Sequence, residues 1–136
     1  MPRLEPGDYQ ALANFRYLLR KFLRFSKDFL SAKSHLSPEQ YEALLAIKVF
    51  ASSGGFSISQ LSERLQVRHH SAVNIVDRLV ERKLITRTAF RSDHRRRSLE
   101  LTPQGDKLIA ELAFAHRQEI RGRSEELIQA LERLRK

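Results

Sequence analysis

The 136-residue sequence contains no cysteine. This absence excludes disulfide bonds, thiolate metal ligands and thiol-based redox sensing within the chain. The sequence also has no run of 18 uncharged apolar residues, and its first segment, MPRLEPGDY, lacks the apolar stretch of a secretory signal. Together these absences predict a cytoplasmic protein without a membrane span.

Motifs for catalysis and for cofactor binding are missing too. We find no phosphate loop, no nucleophile motif and no dinucleotide fingerprint, so we expect neither an enzyme nor a cofactor. The histidines that could form a metal site are His35, His69, His70, His94 and His116. Because His69 and His70 are adjacent in a predicted helix, they face different directions and chelate poorly. We therefore predict no metal site.

Positive charge is in excess. The formal net charge is +9 and the isoelectric point is near 10.5, which favours an anionic partner such as nucleic acid but also fits a basic surface that keeps a protein soluble. The largest excess lies in residues 57–100. This segment contains RSDHRRR, residues 91–97, and a charged loop in water is the simplest interpretation of such a run. Whether this run has a function therefore depends on the elements that surround it.

Helix signals cover the first half of the chain. Apolar residues recur at helical spacing within residues 9–30. They are Leu12, Phe15, Leu19, Phe22 and Phe29. A second helix is predicted to begin after the cap Ser37, with Pro38 and Gln40 completing the start signal, and to stop at Gly54 and Gly55.

A third and a fourth helix follow closely. Ser57 caps the third helix, which we expect to bury Ile58, Leu61 and Leu65. The fourth is predicted over roughly residues 68–82. Its buried side is expected to hold Ala72, Val76 and Leu79.

The residue pattern then changes to a period of two. Residues 84–90 and 98–101 read as two strands of a hairpin whose tip is residues 91–97. Thr102 and Pro103 begin a C-terminal helix, with a break predicted near Gly122. Its apolar stripe consists of Leu108, Leu112, Leu127, Leu131 and Leu134.

Two short helices followed by a hairpin with a basic tip make a winged helix-turn-helix, which places its second helix in the DNA major groove. The candidate base contacts are His69, His70, Val73 and Asn74. Asparagine can pair with adenine, valine can touch a thymine methyl, and a histidine in the first turn can reach guanine or a phosphate. The candidate phosphate contacts are Arg68, Ser71, Arg78, Arg91, Arg96 and Arg97. One arginine of the wing tip is expected to enter a narrow minor groove.

Residues 36–113 resemble the MarR family of bacterial transcriptional regulators. The matching stretches are LSPEQYEALLAI, ISQLSERLQV, AVNIVDRLVERKLITR and SDHRRRSLELTPQGDKLIAEL. The wing pattern of the family falls on Asp93, Arg95, Leu101, Thr102 and Gly105. The resemblance implies a homodimer that binds a pseudo-palindromic DNA operator, more often as a repressor than as an activator, and that is commonly released by a small anionic or phenolic ligand. It also implies that Arg95 is the minor-groove residue and that Asp93 orients it.

The expected fold is mostly α with a small β-hairpin wing, in three segments. Residues 1–35 form an N-terminal dimerisation helix, residues 36–102 the DNA-binding domain, and residues 103–136 the C-terminal dimerisation helices. Because both ends are amphipathic, a two-fold interface would bury their apolar stripes economically, although packing within one subunit is the alternative.

Two positions depart from the family pattern. Lys83 stands where glycine is usual after the recognition helix, so a left-handed turn there would cost about 1 kcal/mol or more. Arg68 replaces the usual small polar cap of that helix, with a loss of about 1 kcal/mol. Its positive charge is unfavourable at a helix start unless a phosphate lies beside it.

Three classes of function fit these observations. The first is a sequence-specific regulator that responds to a ligand. The second is a nonspecific architectural DNA-binding protein, and the third is a protein-interaction module whose basic surface meets an acidic partner. The ratio of specific to nonspecific DNA affinity discriminates the first two classes, and the third predicts no binding to duplex DNA at moderate salt.

Overall fold

The computed structural model describes residues 2–90, 92–93 and 95–136. Five helices and one antiparallel hairpin account for most of this part of the chain. In chain order they are α1 (Pro6–Ser34), α2 (Pro38–Phe50), α3 (Ile58–Leu65), α4 (His69–Glu81), β1 (Ile85–Ala89), β2 (Arg97–Leu101) and α5 (Pro103–Arg135). No helix in the described ranges is long and apolar enough to cross a membrane. The expected class, mostly α with a β-hairpin wing, is confirmed.

The start signals of the helices act as predicted. At α2, the Ser37 hydroxyl accepts the Gln40 backbone N–H at 3.1 Å, and the Gln40 side chain accepts the Ser37 N–H at 2.8 Å. The same pair of bonds links Ser57 to Gln60 at the start of α3. Each pair satisfies backbone groups that the first helical turn leaves without a partner.

Several boundaries differ from the prediction. Helix α1 extends over Pro6–Ser34 rather than residues 9–30. Helix α2 already ends at Phe50, and Gly54 and Gly55 lie in the turn beyond it with φ of 94° and 119°. The break predicted near Gly122 was wrong, because α5 is one continuous helix of 33 residues. A solvent-exposed glycine costs a helix only about 1 kcal/mol, which the flanking turns of a long helix offset.

One apolar core joins the three middle helices and the hairpin. Helices α2, α3 and α4 and strand β2 supply its fully buried side chains, which include Leu44, Ile47, Leu61, Leu79 and Leu99. The predicted inner face of α4 is confirmed, since Ala72, Val76 and Leu79 have no exposed area. Burying a leucine or isoleucine contributes about 1.5–3 kcal/mol, so this layer fixes the relative positions of the three helices.

Helices α1 and α5 pack against each other within the same chain. Phe15, Phe22 and Phe29 lie half-buried on the inner side of α1. At the far end of the pair, the Arg133 guanidinium donates to Asp8 Oδ1 at 3.1 Å and to Glu5 Oε2 at 2.9 Å. A backbone hydrogen bond from Glu5 and the charge of Arg133 hold the pKa of Asp8 below its ordinary value. Part of both apolar stripes is therefore buried by packing within one subunit, which was the alternative to a two-fold interface.

Candidate nucleic-acid interface

The outer side of α4 carries the side chains predicted to contact bases. His69, His70 and Asn74 are exposed, and Val73 is half-buried beside them. On the opposite face of the same helix, Ala72 and Val76 are fully buried. The core therefore fixes the orientation of α4. The structure thus places all four predicted base-contact residues in the first two turns of one helix.

A tight connection precedes this helix. Gln66 takes a left-handed conformation with φ of 55°, and the Val67 N–H bonds back to the Ser62 carbonyl at 3.1 Å. Only residues 66–68 separate α3 from α4, as in a helix-turn-helix unit. The reversal brings α3 across α4 and leaves the start of α4 at the protein surface.

The start of α4 has no side-chain cap. Arg68 occupies the cap position with extended backbone, and its side chain makes no capping hydrogen bond. As expected from the sequence, the first turn therefore lacks the hydroxyl or carboxylate acceptor that usually satisfies its backbone N–H groups. Exposed N–H groups and the positive end of the helix dipole together suit a phosphate.

An ion pair connects α4 to the wing. The Arg87 guanidinium on β1 donates to Oδ1 of Asp77, which lies about one turn beyond Asn74 on α4. Both side chains are partly exposed, at 34% for Arg87 and 48% for Asp77. Sequence reasoning assigned Asp77 to the outer face of α4 and missed Arg87. The alternation of residues 84–90 could have shown that Arg87 is exposed, but not which side chain it meets.

The wing itself is a hairpin with defined register. Ile85 pairs with Leu101 at its base and Ala89 with Arg97 at its end. Two bonds between β2 and Phe56 hold the hairpin on the domain, from the Leu99 N–H to the Phe56 carbonyl and from the Phe56 N–H to Ser98 Oγ, both 2.8 Å. The prediction that Arg97 belongs to the tip was wrong, because this residue is the first of β2.

The wing tip is closed by short-range hydrogen bonds. Asp93 Oδ1 accepts the backbone N–H of Arg95 at 3.0 Å, and the Asp93 carbonyl accepts the N–H of Arg96 at 3.1 Å. Asp93 thus contacts the backbone of Arg95 and shapes the turn that presents it. The exposed side chain of Arg95 extends from this turn.

The remaining predicted phosphate contacts occupy different surroundings. Arg78 is exposed on α4, and Ser71 is half-buried near its start. The Arg96 guanidinium lies over the Phe90 ring, 4.5 Å from its centroid, and Arg97 is exposed on β2. Arg91 lies outside the described residues, as does His94. Among the described residues, no group of three or more His, Cys, Asp or Glu side chains could hold a metal ion.

The end of α4 is joined rigidly to the start of α5. Lys83 adopts the left-handed conformation anticipated from the sequence, with φ of 61°. Its carbonyl accepts the Thr102 hydroxyl at 2.7 Å, and the Leu84 carbonyl accepts the Thr102 N–H at 3.0 Å. Sequence reasoning identified Thr102 as a helix cap and did not foresee this second role. Helices α4 and α5 therefore share a hydrogen-bonded junction.

A buried histidine connects the pair of helices α1 and α5 to α2. His116 on α5 donates from Nδ1 to the Leu112 carbonyl at 2.7 Å and meets Ser26 Oγ on α1 at 2.9 Å through Nε2. Its ring stacks on Tyr41 of α2 with centroids 4.3 Å apart. Burial raises the pKa of the Tyr41 hydroxyl above its ordinary value. Three elements thus meet at one imidazole.

Comparison with known proteins agrees with this architecture. Residues 35–96 match the family model described as "MarR family". The HTH-type transcriptional repressor MdtR of Bacillus subtilis is 32% identical over 104 residues, which cover 72% of this chain and 64% of MdtR. The chain spans a still smaller share, 42%, of a second relative, a putative transcriptional regulatory protein for the hcr operon of Thauera aromatica.

Solved structures share the whole fold. YusO from Bacillus subtilis is 27% identical with a TM-score of 0.65, over 91% of this chain and 89% of YusO. A point mutant of MepR from S. aureus, bound to an oligodeoxyribonucleotide, is 21% identical with a TM-score of 0.67, over 86% of this chain and 82% of MepR. The matched domain, the order of its elements and this shared fold identify residues 35–96 as a domain of the MarR family.

Proposed function

We propose that this chain is a sequence-specific transcriptional regulator that binds double-stranded DNA as a homodimer and represses from a pseudo-palindromic operator. The observation that carries the proposal is the ion pair between Asp77 and Arg87. The pair connects α4, whose exposed side chains are proposed to contact base edges, to the wing, which carries Arg95 at its tip. One unit thereby offers a helix to the major groove and Arg95 to the adjacent minor groove.

Within this proposal the residues of α4 divide by role. Asn74 pairs with an adenine edge, Val73 contacts a thymine methyl, and His69 and His70 reach a guanine edge or a phosphate. Arg68, Ser71 and Arg78 flank this face and bind phosphates. Their exposure on one side of a core-oriented helix supports the assignment.

The wing residues have complementary roles. Arg95 enters the minor groove from a turn that Asp93 shapes through the Arg95 backbone N–H. Arg96 and Arg97 bind phosphates beside it, and Arg91 is proposed for the same role from the sequence. Several such contacts in a dimer release counterions, so affinity falls steeply as salt rises.

Dimer formation is proposed through residues 1–35 and 103–136, with the DNA-binding domain in residues 36–102. Both α1 and α5 leave large apolar side chains in solvent after packing on each other. They are Leu12, Leu19 and Leu23 on α1 and Phe114, Ile120, Ile128 and Leu131 on α5. Such an extent of exposed apolar surface on one pair of helices is typical of a protein-protein interface.

We further propose that a small anionic or phenolic effector releases the DNA. Bound between the dimerisation helices and the DNA-binding domain, it would favour a separation of the two α4 helices that does not match successive major grooves. The support for this step is the family membership, together with the contact of α1, α2 and α5 at His116, where a change in one helix reaches the others.

The relatives support the same function. MdtR is named a transcriptional repressor, and the MepR mutant is bound to an oligodeoxyribonucleotide. In this chain, within a fold of the same kind, His69, His70 and Asn74 are exposed and Val73 is half-buried.

Fluorescence anisotropy on duplexes from the intergenic DNA beside the gene tests the proposal. Asn74→Ala should weaken binding to the cognate duplex by about 1–3 kcal/mol and leave a scrambled duplex nearly unaffected. Arg95→Ala should weaken both duplexes, with limited change in base preference. Arg3→Ala is the matched control for loss of one exposed positive charge, and we expect it to change neither preference nor affinity by more than about twofold.

The alternatives give different results in the same assay. An architectural DNA-binding protein would bind cognate and scrambled duplexes equally, with the same salt dependence. A protein-interaction module would bind neither at moderate salt. If both Asn74→Ala and Arg95→Ala leave operator affinity unchanged, the proposed docking of α4 and the wing is wrong.

A further inference from the structure

The hairpin of the wing ends with an aromatic and a basic side chain opposite each other. The last pair of the strands is Ala89 with Arg97, and one step further the Phe90 N–H donates to the Arg96 carbonyl at 3.0 Å. Residues directly opposite in an antiparallel pair point their side chains to the same face. The Arg96 guanidinium accordingly lies over the Phe90 ring, 4.5 Å from its centroid.

The Phe90 ring is held against the loop that precedes α3. Only 6% of this residue is exposed. A Cβ added to Gly55 would lie 2.5 Å from Phe90 Cε2 and 2.7 Å from Cδ2, so no side chain fits between that backbone and the edge of the ring. The next residue, Phe56, is hydrogen-bonded to Ser98 and Leu99 of β2. The loop therefore contacts the wing both along β2 and at the end of the hairpin.

The stack gives Arg96 a preferred position. Attraction between a guanidinium and the face of an aromatic ring favours one arrangement of a long side chain that would otherwise rotate freely. In residues 2–90, 92–93 and 95–136, no ion pair within 4.0 Å involves Arg96, so the ring rather than a carboxylate orients it. Stacking occupies the face of the planar group and leaves the N–H donors at its edge available to an anion. An arginine that is already ordered loses less entropy when it binds a phosphate.

We propose that Phe90 is a positioning residue for DNA binding: its ring, packed against Gly55, holds the Arg96 guanidinium where it binds a DNA phosphate. The stack itself does not require DNA, whereas its effect on affinity rests on the proposed function. Asp93 contacts the backbone of Arg95, and Phe90 acts on the neighbouring arginine through its side chain. The loop before α3 would thereby influence the affinity of the wing for DNA.

NMR spectroscopy of the full chain tests the stack without DNA. The ring current of an aromatic side chain shifts nuclei above its face upfield. The Arg96 Nε–H and Cδ–H signals should therefore lie upfield of those of an exposed arginine such as Arg3. Phe90→Leu keeps an apolar side chain and should remove this shift. Arg96 signals that do not respond to the substitution would overturn the proposal.

Anisotropy titrations test the effect on DNA. Phe90→Leu should weaken operator binding about fivefold or more, because each of the two wings of a dimer loses an ordered arginine. The preference for the cognate over the scrambled duplex should stay within about twofold, since α4 is unchanged. In an Arg96→Gln background, Phe90→Leu should cause no further loss beyond about twofold. A loss that persists in this background would show that Phe90 does not act through Arg96, and the proposal would be wrong.

The chain contains a matched stack outside the wing. At the end of α2, the Arg64 guanidinium lies over the Phe50 ring, also 4.5 Å from the centroid, and Phe50 stacks on Phe56. Phe50→Leu thus removes the same kind of contact without touching the hairpin end, and operator affinity should stay within about twofold. Equal losses from Phe50→Leu and Phe90→Leu would show a general loosening of the aromatic side chains and would contradict a positioning role. Circular dichroism checks that both variants fold.

Two adjacent glycines test the contact with the loop. Gly54 and Gly55 have φ of 94° and 119°, so alanine strains the backbone at both positions. A Cβ at Gly54 would meet nothing within 4 Å, whereas one at Gly55 would displace the Phe90 ring. A cavity of about 290 Å³ lined by both glycines and Phe90 gives the displaced ring room, so we expect both variants to fold. Gly55→Ala should weaken operator binding as much as Phe90→Leu, and Gly54→Ala should stay within about twofold of the parent. Equal affinities of the two alanine variants would rule out positioning by Gly55.

Failure of this proposal can be distinguished from failure of the proposed function. If the parent shows upfield Arg96 signals but binds no duplex, the stack stands and the proposed function fails. If the parent binds the operator and Phe90→Leu binds it equally well, the proposed function stands and Phe90 is not a positioning residue.

Discussion

Two glycines in α5 show how differently one residue type can be constrained. A Cβ added to Gly105 would overlap the Leu84 carbonyl oxygen and lie 2.9 Å from the Leu84 carbonyl carbon. The Thr102 hydrogen bonds hold that carbonyl in place, so the backbone has no easy way to retreat. A Cβ added to Gly122 would meet nothing within 4 Å. Gly105 is therefore required by the close approach of two backbones, whereas no neighbouring atom requires a glycine at position 122.

Alanine substitutions at these two positions should therefore have opposite effects. Gly105→Ala should lower the free energy of unfolding by about 1–3 kcal/mol or more, because the junction of α4 and α5 must shift. Gly122→Ala should raise it by about 0.5–1 kcal/mol, since alanine is the better helix former at an exposed site. Urea denaturation followed by circular dichroism measures both. Equal changes in the two variants would show that the contact with Leu84 is not restrictive.

At single residues, the sequence predicted features that depend on near neighbours. Ser37 with Gln40 and Ser57 with Gln60 act three residues apart, and each capping box forms as expected. The left-handed turn at Lys83 was anticipated from the family pattern, in which glycine is usual at this position. The contact of Asp93 with the Arg95 backbone could not be read from residue types, which fit a side-chain ion pair equally well.

At the level of elements, one ion pair joins the exposed faces of α4 and the wing. Asp77 and Arg87 are ten residues apart and belong to a helix and a strand. Exposed ion pairs contribute only about 0–1 kcal/mol to stability, so the pair has little weight in the free energy of folding. Its expected importance is geometric, because the proposed DNA binding requires α4 and the wing to engage adjacent grooves together.

Asp77→Ala should weaken operator binding by at least fivefold while changing the free energy of unfolding by less than about 1 kcal/mol. This loss is diagnostic, since removal of a negative charge near DNA would by itself strengthen binding. The Asp77→Ala, Arg87→Ala double variant should bind no more weakly than Arg87→Ala alone. Glu81→Ala, which removes another exposed carboxylate of α4, is the control and should leave affinity equal or slightly higher. Anisotropy titrations at two salt concentrations measure all four proteins.

Element positions could be predicted much better than element contacts. Periodicity located every helix and both strands of the structure, because it reflects the burial of one face. Arg133, however, contacts Asp8 and Glu5 across separations of 125 and 128 residues. The continuity of α5 through Gly122 likewise depends on the packing of its flanking turns on α1. No pattern within either segment encodes such long-range contacts.

In the molecule as a whole, α1 and α5 combine a packed inner face with an exposed apolar outer face. Their inner faces pack on each other and on His116, while apolar side chains remain on their outer faces. Phe114 and Ile128 on α5 are 57% and 52% exposed. We infer that the helical pair first completes the subunit and then presents a second apolar surface to the partner. The single-chain structure and the proposed homodimer are therefore compatible.

Introducing charge on this outer face should separate the subunits. The double substitution Ile128→Glu, Leu131→Glu should convert a dimer into a folded monomer in size-exclusion chromatography with light scattering, because each carboxylate would be buried without a partner. The monomer should bind operator DNA at least a hundredfold more weakly, since it engages one half-site. Val49→Glu alters an equally exposed apolar residue on α2 and should leave the dimer intact. A dimer that survives the double substitution would place the interface elsewhere.

The continuous helix α5 gives the molecule a mechanical property. Its 33 residues span about 50 Å at 1.5 Å per residue, with no interruption between the junction at Thr102 and the contacts of Arg133. Across such a length, a tilt of about 5° displaces one end by about 4 Å relative to the other. In the proposed homodimer, a small rotation where the subunits meet would be amplified along the rod, and the junction of Thr102 with Lys83 would pass that displacement to the end of α4.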